Sequence, residues 1–203
     1  MRIVIATRNR DKLREISQIM ECPFLDLSCL SDFPDVPEIE ETGETFEDNA
    51  LLKARSAAQH TGCWALSDDS GLVILSLGGQ PGIRSARFAG ENATDAYNVE
   101  KVLRMLCDTP DDQRRAEFVC CIALVGANNR AYLTEGRLNG TITREPRGTN
   151  GFGYDPIFYL PGQNMTMAEL SPEVKNAISH RTVALRKMIL LLRSIAEQTK
   201  IVC

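Results

Sequence analysis

The stretch Cys63-Trp64-Ala65-Leu66-Ser67-Asp68-Asp69-Ser70-Gly71-Leu72-Val73-Ile74-Leu75-Ser76-Leu77 reads as two strand-like runs, Cys63-Ser67 and Leu72-Leu77, on either side of the acidic turn Ser67-Asp68-Asp69-Ser70-Gly71. Upstream, strand-like runs at Arg2-Ala6 and Phe24-Leu30 alternate with helical patterns at Asp11-Met20 and Phe46-His60, the rhythm of an α/β domain. Thr45 can cap the second helix with Asp48 three residues on, and Gly62 falls just past its end. Downstream, Ala116-Gly126 and Arg130-Leu138, joined by Ala127-Asn128-Asn129, read as a hairpin, which makes part of the sheet antiparallel. Val183, Leu185, Met188, Leu191, Leu192 and Ile195 recur at helical spacing and predict a core-facing helix from Ser179 to about Gln198. The expected fold is α/β, with a mixed, partly antiparallel central sheet flanked by helices. Gly78 to Gly90 and Arg144 to Gly153 have no hydrophobic period and read as loops. No repeat or linker divides the chain, so residues 1–203 are expected to form a single domain.

Composition narrows the function. With 203 residues, 43% hydrophobic and 25% charged, the chain is long enough for a substantial core and typical of soluble globular proteins. The net charge of -4 disfavours a sequence-independent nucleic-acid binder, which needs a basic face. The run Arg2-Ala6 is too short for a signal-peptide core, and Met188-Leu192 falls far below the roughly 20 residues that cross a bilayer. Neither export nor a membrane is expected. Cys22, Cys29, Cys63, Cys107, Cys120, Cys121 and Cys203 form an odd, scattered set without a CxxC pair. That argues against a disulfide framework or zinc knuckle and for thiols in the reducing cytoplasm.

Five segments could carry chemistry. Thr7-Arg8-Asn9-Arg10-Asp11-Lys12 joins the first strand to the first helix, where free N–H groups and the helix dipole attract phosphate, though a plain polar connector looks the same. It is not a Walker loop. Glu38-Ile39-Glu40-Glu41-Thr42-Gly43 is an acidic loop, and such loops are commonly just solvated surface. Adjacent aspartates at Asp68-Asp69 repel each other, so a fold that places them at a strand end needs a cation or donors nearby. Hard carboxylate oxygens suit magnesium or manganese; a turn that simply favours Asp and Ser is the alternative. In Gly148-Thr149-Asn150-Gly151-Phe152-Gly153-Tyr154-Asp155-Pro156, glycines allow close backbone approach to a flat ligand and an aromatic ring can stack on a base. Lys175, His180 and Arg181 flank the start of the last helix as cationic groups, whereas His60 complements a helix end.

In this order the segments resemble the inosine triphosphate pyrophosphatase family, which removes non-canonical purine nucleotides from the precursor pool. The likeness runs almost end to end and is most specific at DDSGL (Asp68-Leu72), GGQPGIRSARFAG (Gly78-Gly90), GFGYDPIF (Gly151-Phe158) and AISHR (Ala177-Arg181). The resemblance implies a nucleotide cleft between two lobes, a homodimer, a magnesium requirement, and conversion of ITP, dITP or XTP to the monophosphate and pyrophosphate. It implies that Thr7, Asn9 and Lys12 hold phosphates, that Glu40 and Asp69 bind magnesium, and that Asp69 is the base with Ser70 alongside. Phe152, Gly153, Tyr154, Asp155, Lys175, His180 and Arg181 would surround the nucleotide; Arg8, Arg10 and Asp11 complete the phosphate segment.

Two positions depart from the family pattern, Arg8 and Asn150, where glycine is common; asparagine tolerates positive φ well, while Arg8 brings a bulky cation into the phosphate loop. His180 and Arg181 are expected to donate to the purine 6 position. Maf-type pyrophosphatases, with a similar fold and other nucleotides as substrates, and a non-catalytic nucleotide-binding regulator are the competing readings. Analysis of products from a panel of triphosphates separates them.

Overall fold

The computed structural model describes residues 1–37 and 39–201, the last five by backbone alone; Glu38 and Cys203 lie outside the described residues. Seven strands form one mixed sheet in the order β2-β1-β3-β4-β5-β6-β7. They are β1 (Arg2–Ile5), β2 (Asp26–Cys29), β3 (Trp64–Ile74), β4 (Arg115–Val125), β5 (Ala131–Ile142), β6 (Phe158–Leu160) and β7 (Met165–Thr166). The α-helices are α1 (Arg10–Ile19), α2 (Phe46–Thr61), α3 (Asp95–Met105), α4 (Pro172–Ile178) and α5 (His180–Ile201). β1 runs parallel to both β2 and β3, with Ile3 opposite Leu27 on one side and Trp64 on the other. β6 is antiparallel to β5 and to β7. The expected mixture of parallel and antiparallel pairing is therefore present, and no helix among the described residues is long and apolar enough to cross a membrane.

The predicted caps form as written. Thr45 accepts from the Asp48 N–H while the Asp48 carboxylate accepts from the Thr45 N–H, and Gly62 ends α2 in the left-handed conformation. The sequence reading differs at three places. The acidic segment is no turn: Ser67 to Gly71 continue the strand, so β3 is one element of 11 residues. Asn150 is not among the residues with positive φ; its amide instead donates to the Leu170 carbonyl at 2.9 Å, and its N–H to Ala168 at 3.0 Å. The helix α3 was not anticipated. The segment after Gly78 also holds a short 3-10 stretch, Gly82–Arg87.

The chain packs as two compact units, neither contiguous in sequence: residues 1–69, 120–136 and 181 onward, and residues 70–119 with 137–180. In the first unit, one face of the strands packs Ile3, Ile5, Leu66, Ile122 and Leu124 on Ile16 of α1, on Met20 at its C-cap, and on Leu185, Met188 and Leu192 of α5. A second cluster is built from small residues, with Ala50, Ala54, Ala57 and Ala58 of α2 on Ala65 and Ala123 of the strands and on Ala6 just past β1, which lets that helix lie close to the sheet. In the second unit, Leu72, Ile74, Phe118, Ile142 and Phe158 pack with Val99 and Val102 of α3 and with Leu106 at its C-cap.

Arg114 shows how the second unit ties its ends. Its guanidinium is 2% exposed and donates to the carbonyls of Leu106, Ile142 and Thr143 at 2.6, 2.8 and 2.7 Å. Leu106 is the cap residue of α3, so a fixed cation meets the negative end of that helix. Arg114→Met strands these buried acceptors and is expected to lower the unfolding free energy by about 3 kcal/mol, read as a fall in the urea midpoint at unchanged slope.

Candidate active site

Successive side chains of a strand point to opposite faces, and this alternation decides the site in the first unit. Leu66 and Asp68 share the face covered by α1 and α5; Ala65, Ser67 and Asp69 share the face covered by α2. The Ser67 hydroxyl donates to the Ala50 carbonyl of α2 at 2.5 Å. Asp68 and Asp69 are 1% and 5% exposed, so each buried carboxylate is answered by the helix on its own side. Lys12 Nζ lies 3.0 Å and Arg181 Nη2 3.1 Å from Asp68 Oδ2, and Arg181 Nη1 bonds Glu15. On the other face, Asn49 Nδ2 and Lys53 Nζ each lie 3.3 Å from Asp69, and Lys53 reaches Glu41 at 2.7 Å.

The two neighbours titrate in opposite directions. Burial alone would raise Asp68, but the positive charges of Lys12, Arg181 and Lys53 outweigh it and hold its carboxyl well below the usual range. Burial pushes Asp69 up; Lys53 and Lys12 oppose that shift, while Glu41 and Asp68 reinforce it. Asp68 thus serves as a fixed negative charge that orients Lys12 and Arg181. Asp69 is the carboxylate better suited to receive a proton.

At the start of α1, Asn9 caps the helix, its side-chain oxygen accepting from the N–H groups of Asp11 and Lys12 at 2.9 and 3.0 Å. Thr7 Oγ1 accepts from the Asn9 N–H at 3.2 Å, leaving its hydroxyl hydrogen to donate elsewhere. Arg8 donates to the Val36 carbonyl at 3.0 Å, which removes its guanidinium from the role of an obstructing cation. Asp11 pairs with Arg14 at 3.0 Å, and Arg10 is exposed. Glu40 is exposed as well; the acidic-loop residue drawn to Asp69 through Lys53 is Glu41.

In the second unit the Gly151-Asp155 loop is fixed by its own carboxylate. Asp155 accepts from the Phe152 N–H at 2.9 Å and from Lys175 Nζ at 2.5 Å, with both charged side chains buried. Lys175 also lies 4.6 Å from the centre of the Phe152 ring. A Cβ at position 151 would stand 2.0 Å from Asp155 Oδ2, at a φ of +77°, so only glycine admits this clasp. Gly153 donates to Asp95 at 2.6 Å and the Tyr154 hydroxyl to the Ser85 carbonyl at 2.8 Å. Lys175 is thus tied to the loop through Asp155. Ser70 follows Asp69 in β3 and is half-buried.

Three residues of this network escape the sequence reading, Glu15, Asn49 and Lys53, while Glu41 stands there only as part of the acidic loop. A signal existed for two of them. Asn49 and Lys53 are four apart on α2, on the stripe that carries Ala50, Ala54 and Ala57, and polar residues on a buried stripe need partners.

Residues 3–190 match the model of the Ham1 family. The chain is 54% identical, over 91% of its length and 92% of the relative's, to a protein of Geobacter sulfurreducens named dITP/XTP pyrophosphatase. It is 48% identical, over 92% and 91%, to a protein of the same name from Geobacillus kaustophilus. Its backbone is similar to that of a HAM1 protein from Coxiella burnetii, with a TM-score of 0.88 at 47% identity over 96% of this chain and 99% of that one. A Ham1 protein from Staphylococcus aureus gives 0.87 at 42%, over the same shares.

Asp68→Asn removes a buried anion from the buried Arg181 and the half-buried Lys12 and is expected to cost about 3 kcal/mol of stability at pH 7. Because the folded carboxyl sits below its unfolded value, its contribution is present above the ordinary carboxylate range and is lost as pH falls. The gap between native and variant proteins, measured by denaturant titration in chelator, should be widest near neutrality and close progressively below about pH 4.

Proposed function

The chain belongs to the Ham1 family, and from that premise we propose that it hydrolyses non-canonical purine nucleoside triphosphates, dITP, ITP and XTP, to the monophosphate and pyrophosphate, clearing them from the soluble nucleotide pool. The observation that carries the reading is the division of labour on β3, where Asp68 is locked as an anion and Asp69 is left as the basic carboxylate. Water attacks the α-phosphorus, the bond from that phosphorus to the bridging oxygen of the β-phosphate breaks, and pyrophosphate leaves. Asp69 takes the proton that the attacking water loses. Thr7, Asn9 and Lys12 bind the phosphates, Lys12 being aimed by its bond to Asp68.

Magnesium is the ion that the donor chemistry fits. Among the described residues no group of three or more His, Cys, Asp or Glu side chains is assembled. An ion here rests on one or two carboxylates and takes its other ligands from water and phosphate, which is the habit of magnesium. Asp69 is one such ligand. The second is Glu41 in preference to Glu40, since Glu41 and Asp69 already share the Lys53 ammonium. When bound, the ion neutralises phosphate charge and acidifies water.

For the base, Phe152 offers a stacking face and His180 a donor to the purine 6 position, while the Arg181 guanidinium stays with Glu15 and Asp68. A donor there satisfies the carbonyl of hypoxanthine or xanthine and leaves the amino group of adenine unpaired, a penalty of about 1 to 3 kcal/mol. The working protein is a homodimer, as the family resemblance implies, and acts in the reducing cytoplasm, in keeping with the free thiols of Cys22, Cys29, Cys63, Cys107, Cys120 and Cys121.

Product analysis tests the whole. With magnesium the enzyme should release pyrophosphate from ITP, dITP and XTP well ahead of ATP and GTP, and chelator should abolish turnover until magnesium is restored. Orthophosphate as the sole inorganic product, or equal rates on all substrates, overturns the reading. Asp69→Asn should retain its fold and lose at least about a hundredfold in kcat; near-normal turnover would remove Asp69 from the proton transfer.

A further inference from the structure

Three aromatic rings and one glycine form a column in the second unit. Phe118, on β4, stacks on Phe158, the first residue of β6, with ring centres 4.2 Å apart and planes 30° apart. It also stacks on His180, the first residue of α5, at 4.8 Å and 17°. Two rings cannot stack on one face of a third at such distances, so Phe118 is the middle ring. Below them lies Gly140 of β5, where a Cβ would meet Phe158 Cε1 at 2.6 Å and Cζ at 2.7 Å. A side chain at position 140 would collide with the Phe158 ring, so glycine leaves that ring its place. Phe118, Phe158 and His180 are all almost fully buried, at 6%, 0% and 6% exposure.

An imidazole can donate along only two directions, both in the plane of its ring, so whatever fixes that plane fixes where its N–H groups can point. We propose that Phe118 is a positioning residue for substrate: its ring, clamped between Phe158 and His180, sets the imidazole plane and thereby the direction in which His180 presents its donor to the purine. Phe158 follows the Gly151-Asp155 loop in sequence, with its N–H bonded to the Tyr154 carbonyl at 3.1 Å. The column consequently shares one support with the loop that carries Phe152. The inference rests on the reading of His180 as a base contact, and it assigns discrimination to a residue that never touches the nucleotide.

The test combines kinetics with the spectrum of the histidine rings. The chain has two histidines, so His60, on an exposed helix end, serves as an internal reference for His180. In the native enzyme the His180 ring protons should be shifted upfield by the Phe118 ring current. Phe118→Leu, with Phe118→Met as a second variant should the first fold poorly, should move those protons toward the His60 positions. The same variants should raise KM for ITP roughly tenfold with kcat within about twofold, and reduce the preference for ITP over ATP by a similar factor. Added to His180→Ala, Phe118→Leu should cause no further loss of preference, the non-additivity expected of residues acting through one group. Unmoved His180 signals in Phe118→Leu overturn the proposal, as does an unchanged KM when His180→Ala raises it. An unchanged KM and preference in His180→Ala overturns the role of His180 in base recognition instead, and the ring-proton shift then decides on its own whether Phe118 sets the imidazole plane.

Discussion

The alternation of β3 places two adjacent carboxylates on opposite faces of a buried strand, and much of the first unit is arranged to answer them. Unpaired, either charge would be costly to bury. Paired, they demand one cationic layer on each side: Lys12 from α1 and Arg181 from α5 for Asp68, Asn49 and Lys53 from α2 for Asp69. The apolar contacts of the same helices sort in the same way, with Leu66 beneath α1 and α5 and Ala65 beneath α2. Folding and chemistry thus draw on one register, since a slip of one residue would exchange the environments of the two aspartates.

The asymmetry between the two sides gives the pair its use. Asp68 meets strong, direct positive charge, and its proton is driven off far below neutrality; Asp69 meets one lysine shared with Glu41 and an amide, and burial prevails. Electrostatics arranged in advance of the substrate cost no reorganisation during reaction. Lys53 bridges Glu41 and Asp69 as a single cation between two carboxylates.

The second unit meets a different constraint, the need to hold a glycine-rich loop still. Asp155 does so from within by gripping the Phe152 N–H and Lys175 together, while Asp95 and the Ser85 carbonyl pin the loop from outside. A loop with glycines at 148, 151 and 153 loses much conformational freedom on ordering. Several directed contacts offset that loss, and the ring column on Gly140 adds a rigid footing.

The sequence by itself determined the local facts. Hydrophobic periodicity marked the strands and helices, Thr45 with Asp48 and Gly62 marked the ends of α2, and four ordered motifs marked the family, its chemistry and the residues around which a site had to form. Tertiary structure alone decided the rest, because it depended on which atoms meet across long separations in sequence. Asp68-Asp69 read as a turn since adjacent charges disfavour a strand, and only Lys12, Lys53 and Arg181, brought from three helices, make the strand tolerable. The same contacts separate Asp68 from Asp69 in acidity and join Glu41 to Asp69 through Lys53, while Arg8 meets the Val36 carbonyl and Lys175 meets Asp155. No spacing along the chain encodes that Phe118 lies beneath His180, for stacking is a relation between ring planes, and planes are fixed only by packing.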